Sequence, residues 1–140
     1  MDDITALANI IYGEAADQKQ DVMEMVGSTV LNRVSANRAN EFGVSIEEVG
    51  QKGYYAVKNQ NEPYKQAVSG KFKDEVAEEA YKKAYAVASG LYKGTIELRK
   101  GQFFFKPDEE KKLRKAGKKV FDFKQVKEEG IVGEYNVYGY

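Results

Sequence analysis

The chain contains no cysteine and no histidine. Without thiols there is no disulfide framework and no Cys–His nucleophile. Without imidazole there is no Ser–His–Asp triad and no His-ligated zinc site. Any catalysis must therefore run on carboxylates, hydroxyls, lysine or an oxygen-bound metal. Tryptophan is also absent, although ten tyrosines and seven phenylalanines supply rings for a core and for stacking on sugars or bases. No apolar run approaches the roughly 20 residues of a membrane-spanning helix. The N-terminus, MDDITALANI, is acidic and its apolar residues are periodic, unlike a secretory signal. Lysine plus arginine and aspartate plus glutamate both number 22, so no excess charge draws the chain to nucleic acid or an anionic membrane. The basic run KKLRKAGKK (111–119) follows acidic residues and reads as a solvated face. The expectation is a monomer that binds no nucleic acid and needs no metal or other cofactor.

At 140 residues the chain fits one domain, 1–140, large enough to bury a core. Ile4, Leu7, Ala8, Ile11 and Ala15 recur at helical spacing, predicting a helix over 3–16 capped by Asp2 or Asp3. A second helix, over 19–36, carries Val22, Val26, Val30 and Val34 on one side, with Met25 and Thr29 widening the stripe. "SIEE" has capping-box spacing, so Ser45 opens a short helix ending near Gly50. Further helices are expected over 62–69, ending at Gly70, and over 74–90. The latter has Asp74 as cap, Val76, Ala80, Ala84, Val87 and Ala88 inward, and Gly90 and Gly94 at its close. After Gly101 the pattern turns aromatic: QFFFK (102–106), KVFDF (119–123) and YNVYGY (135–140) read as strands, with 108–117 a charged helix or a loop. The fold class is α+β, mostly helical, with a small β-sheet or hairpin in the C-terminal part.

One acid sits oddly in this pattern. On a helical wheel Glu14 falls between Leu7 and Ile10, at the edge of the core-facing stripe of the first helix. It also lies in the last turn, where the helix dipole disfavours negative charge. Both effects push the carboxyl pKa upward and describe a proton donor of the kind glycosidic cleavage needs. Alternatively, Glu14 forms an ion pair with Arg33 or Lys19 at a helix end. Gly13, just before it, leaves space for a substrate to approach the backbone.

The motif IIYGEA (10–15), followed by VLNRV (30–34) and the aromatic segment GQFFFKP (101–107), resembles the SleB-type cell-wall hydrolases. These are the catalytic domains of spore cortex-lytic enzymes and of related bacterial and bacteriophage lysins. The small residues of AYAVASGLYKG fit the helix before the third motif, so the resemblance spans nearly the whole chain. It implies a lysozyme-like fold and cleavage of the glycan strands of peptidoglycan as a lytic transglycosylase. Glu14 takes the position of the catalytic glutamate, acting as general acid and then as base toward the muramic acid 6-hydroxyl. One carboxylate suffices for that route, whereas lysozyme-type hydrolysis (a muramidase) would want a second, for which Asp17 and Glu62 are the candidates. A non-catalytic glycan-binding or virion structural module retaining the fold is the alternative from another class.

The resemblance also places substrate-binding residues. Tyr54 and Tyr55 stand where the family has Gln-Phe, Lys106 where it has Asn, and Tyr135 where it has His. Phe103 and Phe105 share one face of the predicted strand and would floor the cleft. Asn32 and Arg33 match the family's Asn-Arg, with a role in packing or bridging. An endolysin released through a holin, a virion-associated enzyme, or a domain of a longer protein all fit a catalytic domain without a signal peptide.

Overall fold

The computed structural model describes all 140 residues as a mostly helical α+β fold. Eight helices run as α1 (Asp3–Ala15), α2 (Gln20–Val34), α3 (Ala39–Phe42), α4 (Ile46–Gly53), α5 (Tyr55–Lys58), α6 (Glu62–Ser69), α7 (Glu75–Lys93) and α8 (Pro107–Ala116). Three strands, β1 (Phe103–Phe105), β2 (Lys127–Val132) and β3 (Tyr135–Gly139), form an antiparallel sheet in the order β1-β3-β2. No helix is long and apolar enough to cross a membrane.

Local chemistry explains most helix starts. The side chains of Asp2, Ser45, Asn61 and Asp74 accept the backbone N–H of Thr5, Glu48, Tyr64 and Ala77, satisfying donors that helix geometry leaves free. Helix α1 is the centre of the molecule. It packs against α2, α4, α5, α6 and α7, and every residue from Ala6 to Gly13 is buried. The wheel therefore understates its burial, because α1 has no solvent face along most of its length. Gly13 belongs to this packing and does not open the backbone to a substrate. A Cβ there would lie 2.7 Å from the Ala56 Cβ and 3.1 Å from that of Tyr64, so glycine is what lets α5 and α6 close on α1.

Three predicted elements need correction. Helix α7 runs through Gly90 to Lys93 and is capped by Gly94, while Val76, expected inward, is 79 % exposed in its first turn. KVFDF is not a strand: Phe121 and Phe123 turn back from a loop and a 3₁₀ turn (Phe123–Gln125) to pack on Phe103, Phe105 and Tyr138. The third strand is β2, whose Lys-Glu-Glu start concealed it. It is an edge strand with no buried residue, so its sequence carries no apolar alternation. Segment 108–117 resolves as α8, begun by Pro107 at the first helical position. It has no fully buried residue and is tied to β3 by Glu110, which accepts hydrogen bonds from Tyr138 Oη (2.8 Å) and Asn136 Nδ2 (3.2 Å) and, within the helix, from Arg114 Nε (3.1 Å).

Sheet and helices are joined by the Asn-Arg pair of α2. Asn32 Nδ2 donates to the carbonyls of Arg99 and Gly101, each at 2.8 Å, and so stitches α2 to the chain entering β1. Replacing Asn32 with alanine leaves both carbonyls unpaired. The expected cost is about 2 kcal/mol in urea denaturation, with far-ultraviolet helicity retained.

Candidate active site

A cleft of about 850 Å³ opens between the helical layer and the sheet. One wall is made by Glu14 from the end of α1, Arg33 from α2, and Gly53, Tyr54 and Tyr55 at the α4–α5 junction. The other is made by Phe104 to Glu109, Lys112, and the β2–β3 turn with its neighbour, Glu134 and Tyr135. Its size is that of ligand-binding clefts.

Glu14 is partly buried in this wall, and the Ala56 N–H donates to its Oε1 at 3.3 Å. Neither ion pair envisaged for it forms: no Lys or Arg nitrogen lies within 4.0 Å of the carboxyl, and Lys19 is exposed at the start of α2. Burial pushes the Glu14 pKa above its ordinary value. Bonds from the Ala56 and Tyr55 amides and the charge of Arg33 act against that rise, and the charge of Glu109 adds to it. The result is a carboxyl that holds its proton more tightly than a free glutamate.

The other candidates divide. Tyr54 is fully buried and forms the back of the cleft, its hydroxyl sharing a 2.7 Å hydrogen bond with Thr29 Oγ1. Tyr55 stands at the lip, 67 % exposed, and its hydroxyl makes no bond to Glu14. Phe105, Lys106 and Tyr135 line the facing wall. Lys106 Nζ lies 3.9 Å from Glu134 and 5.9 Å from the centre of the Tyr135 ring. Burial raises the Tyr135 hydroxyl pKa, and the charge of Glu14 adds to it.

Phe103 does not floor the cleft. It is buried behind the sheet among Phe42, Phe121 and Tyr140, with ring centres 4.9–5.6 Å away. Strand alternation instead turns Phe104 to the cleft, against Tyr54 and Tyr135. Asp17 and Glu62 are exposed and outside the cleft. The carboxylates facing Glu14's wall are Asp108, Glu109 and Glu134, which the sequence reading missed. Pro107 was the available signal that a helix begins there, with Asp108 and Glu109 in its first turn. No group of three or more carboxylates is placed to hold a metal ion.

Protein-family models, curated proteins and solved structures were all compared with this chain, and none matches it.

The raised Glu14 pKa carries a stability cost with a definite sign. The folded state binds this proton more tightly than the unfolded chain, so stability falls as pH rises from the ordinary value of 4.5 through the folded one. Glutamine keeps the acceptor for Ala56 but cannot ionise. Glu14→Gln is therefore expected to melt higher than wild type at neutral pH, with the difference vanishing below pH 4.5. Thermal melts at the two pH values check this.

Proposed function

We propose that this chain cleaves peptidoglycan glycan strands between N-acetylmuramic acid and N-acetylglucosamine, as a lytic transglycosylase. The observation that carries the reading is Glu14: a carboxyl whose pKa burial raises, unpaired with any cation, in the wall of a cleft of about 850 Å³. The surrounding Tyr12-Gly13-Glu14-Ala15 and the Asn32-Arg33 pair supply the resemblance to SleB-type hydrolases.

In this mechanism Glu14 gives its proton to the glycosidic oxygen as the bond from that oxygen to muramic acid C1 breaks. N-acetylglucosamine leaves with a free hydroxyl. The Glu14 carboxylate then takes the proton of the muramic acid 6-hydroxyl while that oxygen bonds to C1, giving a 1,6-anhydro end and restoring the acid. No water is consumed. Such a cycle needs an acid that is protonated at rest and still tolerates ionisation. The opposing influences on Glu14 suit it: burial and Glu109 favour the proton, while Arg33 and the two amides stabilise the carboxylate. Tyr55 and Phe104 offer ring faces for sugars at the cleft.

A second reading has specific support. Asp108, Glu109 and Glu134 line the cleft with Glu14, so a hydrolytic muramidase would have a second carboxylate to position or activate water.

Purified peptidoglycan incubated with wild type is expected to release anhydro-muropeptides, identified by mass spectrometry. Glu14→Gln is expected to reduce release by about 10²–10⁴-fold. Wild-type activity should fall on the alkaline side as Glu14 loses its proton. Reducing-end products, abolished by Glu109→Gln, would establish the muramidase instead. Equal release by wild type and Glu14→Gln would remove Glu14 from the mechanism. No release by either would favour a glycan-binding module.

A further inference from the structure

Arg33 is a buried cation without a counter-ion. It is only 9 % exposed, yet no carboxylate lies within 4.0 Å of its guanidinium. Burying an unpaired charge is costly, and such residues are usually balanced by an acid. Here the cation is held by other means. Its Nε donates to the Gln102 carbonyl at 2.7 Å, and its Cζ lies 4.7 Å from the Tyr54 ring centre, 5.0 Å from Phe103 and 5.1 Å from Phe42. Glycine at 53 makes room for it, since a Cβ at that position would overlap Nη1.

These contacts fix the guanidinium but leave its fork unused. Nη1 and Nη2 donate to no protein acceptor, and neither is among the fully enclosed polar atoms that lack a partner. Arg33 lines the same cleft as Glu14. A structural role accounts for Nε and the ring contacts, but not for two rigidly held donor groups open to the cleft. A planar fork of this kind matches a carboxylate. The rest of the lining argues against a more highly charged anion. Arg33, Lys106 and Lys112 do not outnumber Asp108, Glu109 and Glu134 around them, so the cleft has no surplus of cations for a multiply charged anion.

We propose that Arg33 is a substrate-binding residue that receives a carboxylate borne by the muramic acid unit. This rests on the glycan-cleaving reading above. N-acetylglucosamine has no carboxylate, so the contact sets the polarity of the strand in the cleft. Muramic acid is held beside Glu14 with its C1 presented for cleavage, and the reverse register is disfavoured. The carboxylate has two possible sources: the lactyl group itself, free in peptide-stripped strands, or the stem peptide attached to it.

The test varies the ligand first, which leaves the protein's fold untouched. Calorimetric titration of Glu14→Gln compares a peptide-free GlcNAc–MurNAc tetrasaccharide, its lactyl methyl ester, the same strand carrying a short stem peptide, and chitotetraose. The free acid is expected to bind roughly tenfold more tightly than the ester or chitotetraose, the effect of one charge-assisted contact. Tight binding of the stem-bearing strand would assign the stem carboxylate as a source, and weak binding would assign the lactyl group alone. Adding Arg33→Met to Glu14→Gln should bring acid and ester to the same weak affinity, with Arg33→Lys intermediate. Equally weak binding of acid, ester and stem-bearing strand by Glu14→Gln, no tighter than chitotetraose, would overturn the role of Arg33 while leaving glycan cleavage standing. No binding of any strand, with no release of muropeptides by wild type, would overturn both.

Discussion

A helix that is apolar on all sides is stable only when other elements enclose it. Helix α1, buried from Ala6 to Gly13, is close to such a helix, and the arrangement of the helical layer follows from covering it. Five helices surround it, two of them drawn in closely by the absence of a side chain at Gly13. Asn61 both caps α6 and donates to the Gly13 carbonyl at 2.9 Å, so the end of α1 is satisfied by the helix that covers it. Glu14 comes one residue later, where this enclosure gives way to the cleft. Its chemistry is therefore a by-product of core packing: the same burial that stabilises α1 makes ionisation of Glu14 unfavourable.

The cleft is then a junction between two kinds of structure. The helical wall is an extension of the apolar core, with Tyr54 locked to Thr29 and Arg33 held between rings. The opposite wall is carried by a three-stranded sheet and by α8, which has no buried residue. Arg33 spans the junction, because its rings come from both sides: Tyr54 and Phe42 from the helices, Phe103 from β1. The result is a site with a carboxyl of raised pKa and an arginine on one wall, and three carboxylates and two lysines on the other.

The parts legible in sequence were those governed by neighbours along the chain. Capping residues and 3.6-residue periodicity revealed α1, α2, α4, α6 and α7, and the position of Glu14 on the wheel anticipated its burial and raised pKa. What escaped depends on distant partners. The single-turn helices α3 and α5 have too few residues for periodicity, and β2 is a polar edge strand recognisable only by its pairing with β3. Phe103 and Phe104 are chemically identical, so alternation separated their faces without saying which one was wet. Asp108, Glu109 and Glu134 reach the cleft only because the sheet places β1 beside β3. The free fork of Arg33 was equally hidden, since it depends on Gly53 and on the chain entering β1.

Helix α8 gives the cleft a mechanical asymmetry. Partial burial pushes the Glu110 carboxyl up, but the bonds from Tyr138, Arg114 and Asn136 outweigh it and hold the group below its usual range. Those polar bonds, with Arg114 packed 4.0 Å from the Phe123 ring centre, tie down a helix that has no fully buried residue. One jaw is thus set in apolar packing, whereas the other is held by a polar latch. Glu14 is therefore fixed by the packing of the whole helical layer, whereas the wall that faces it depends on the ionisation of one carboxylate, Glu110.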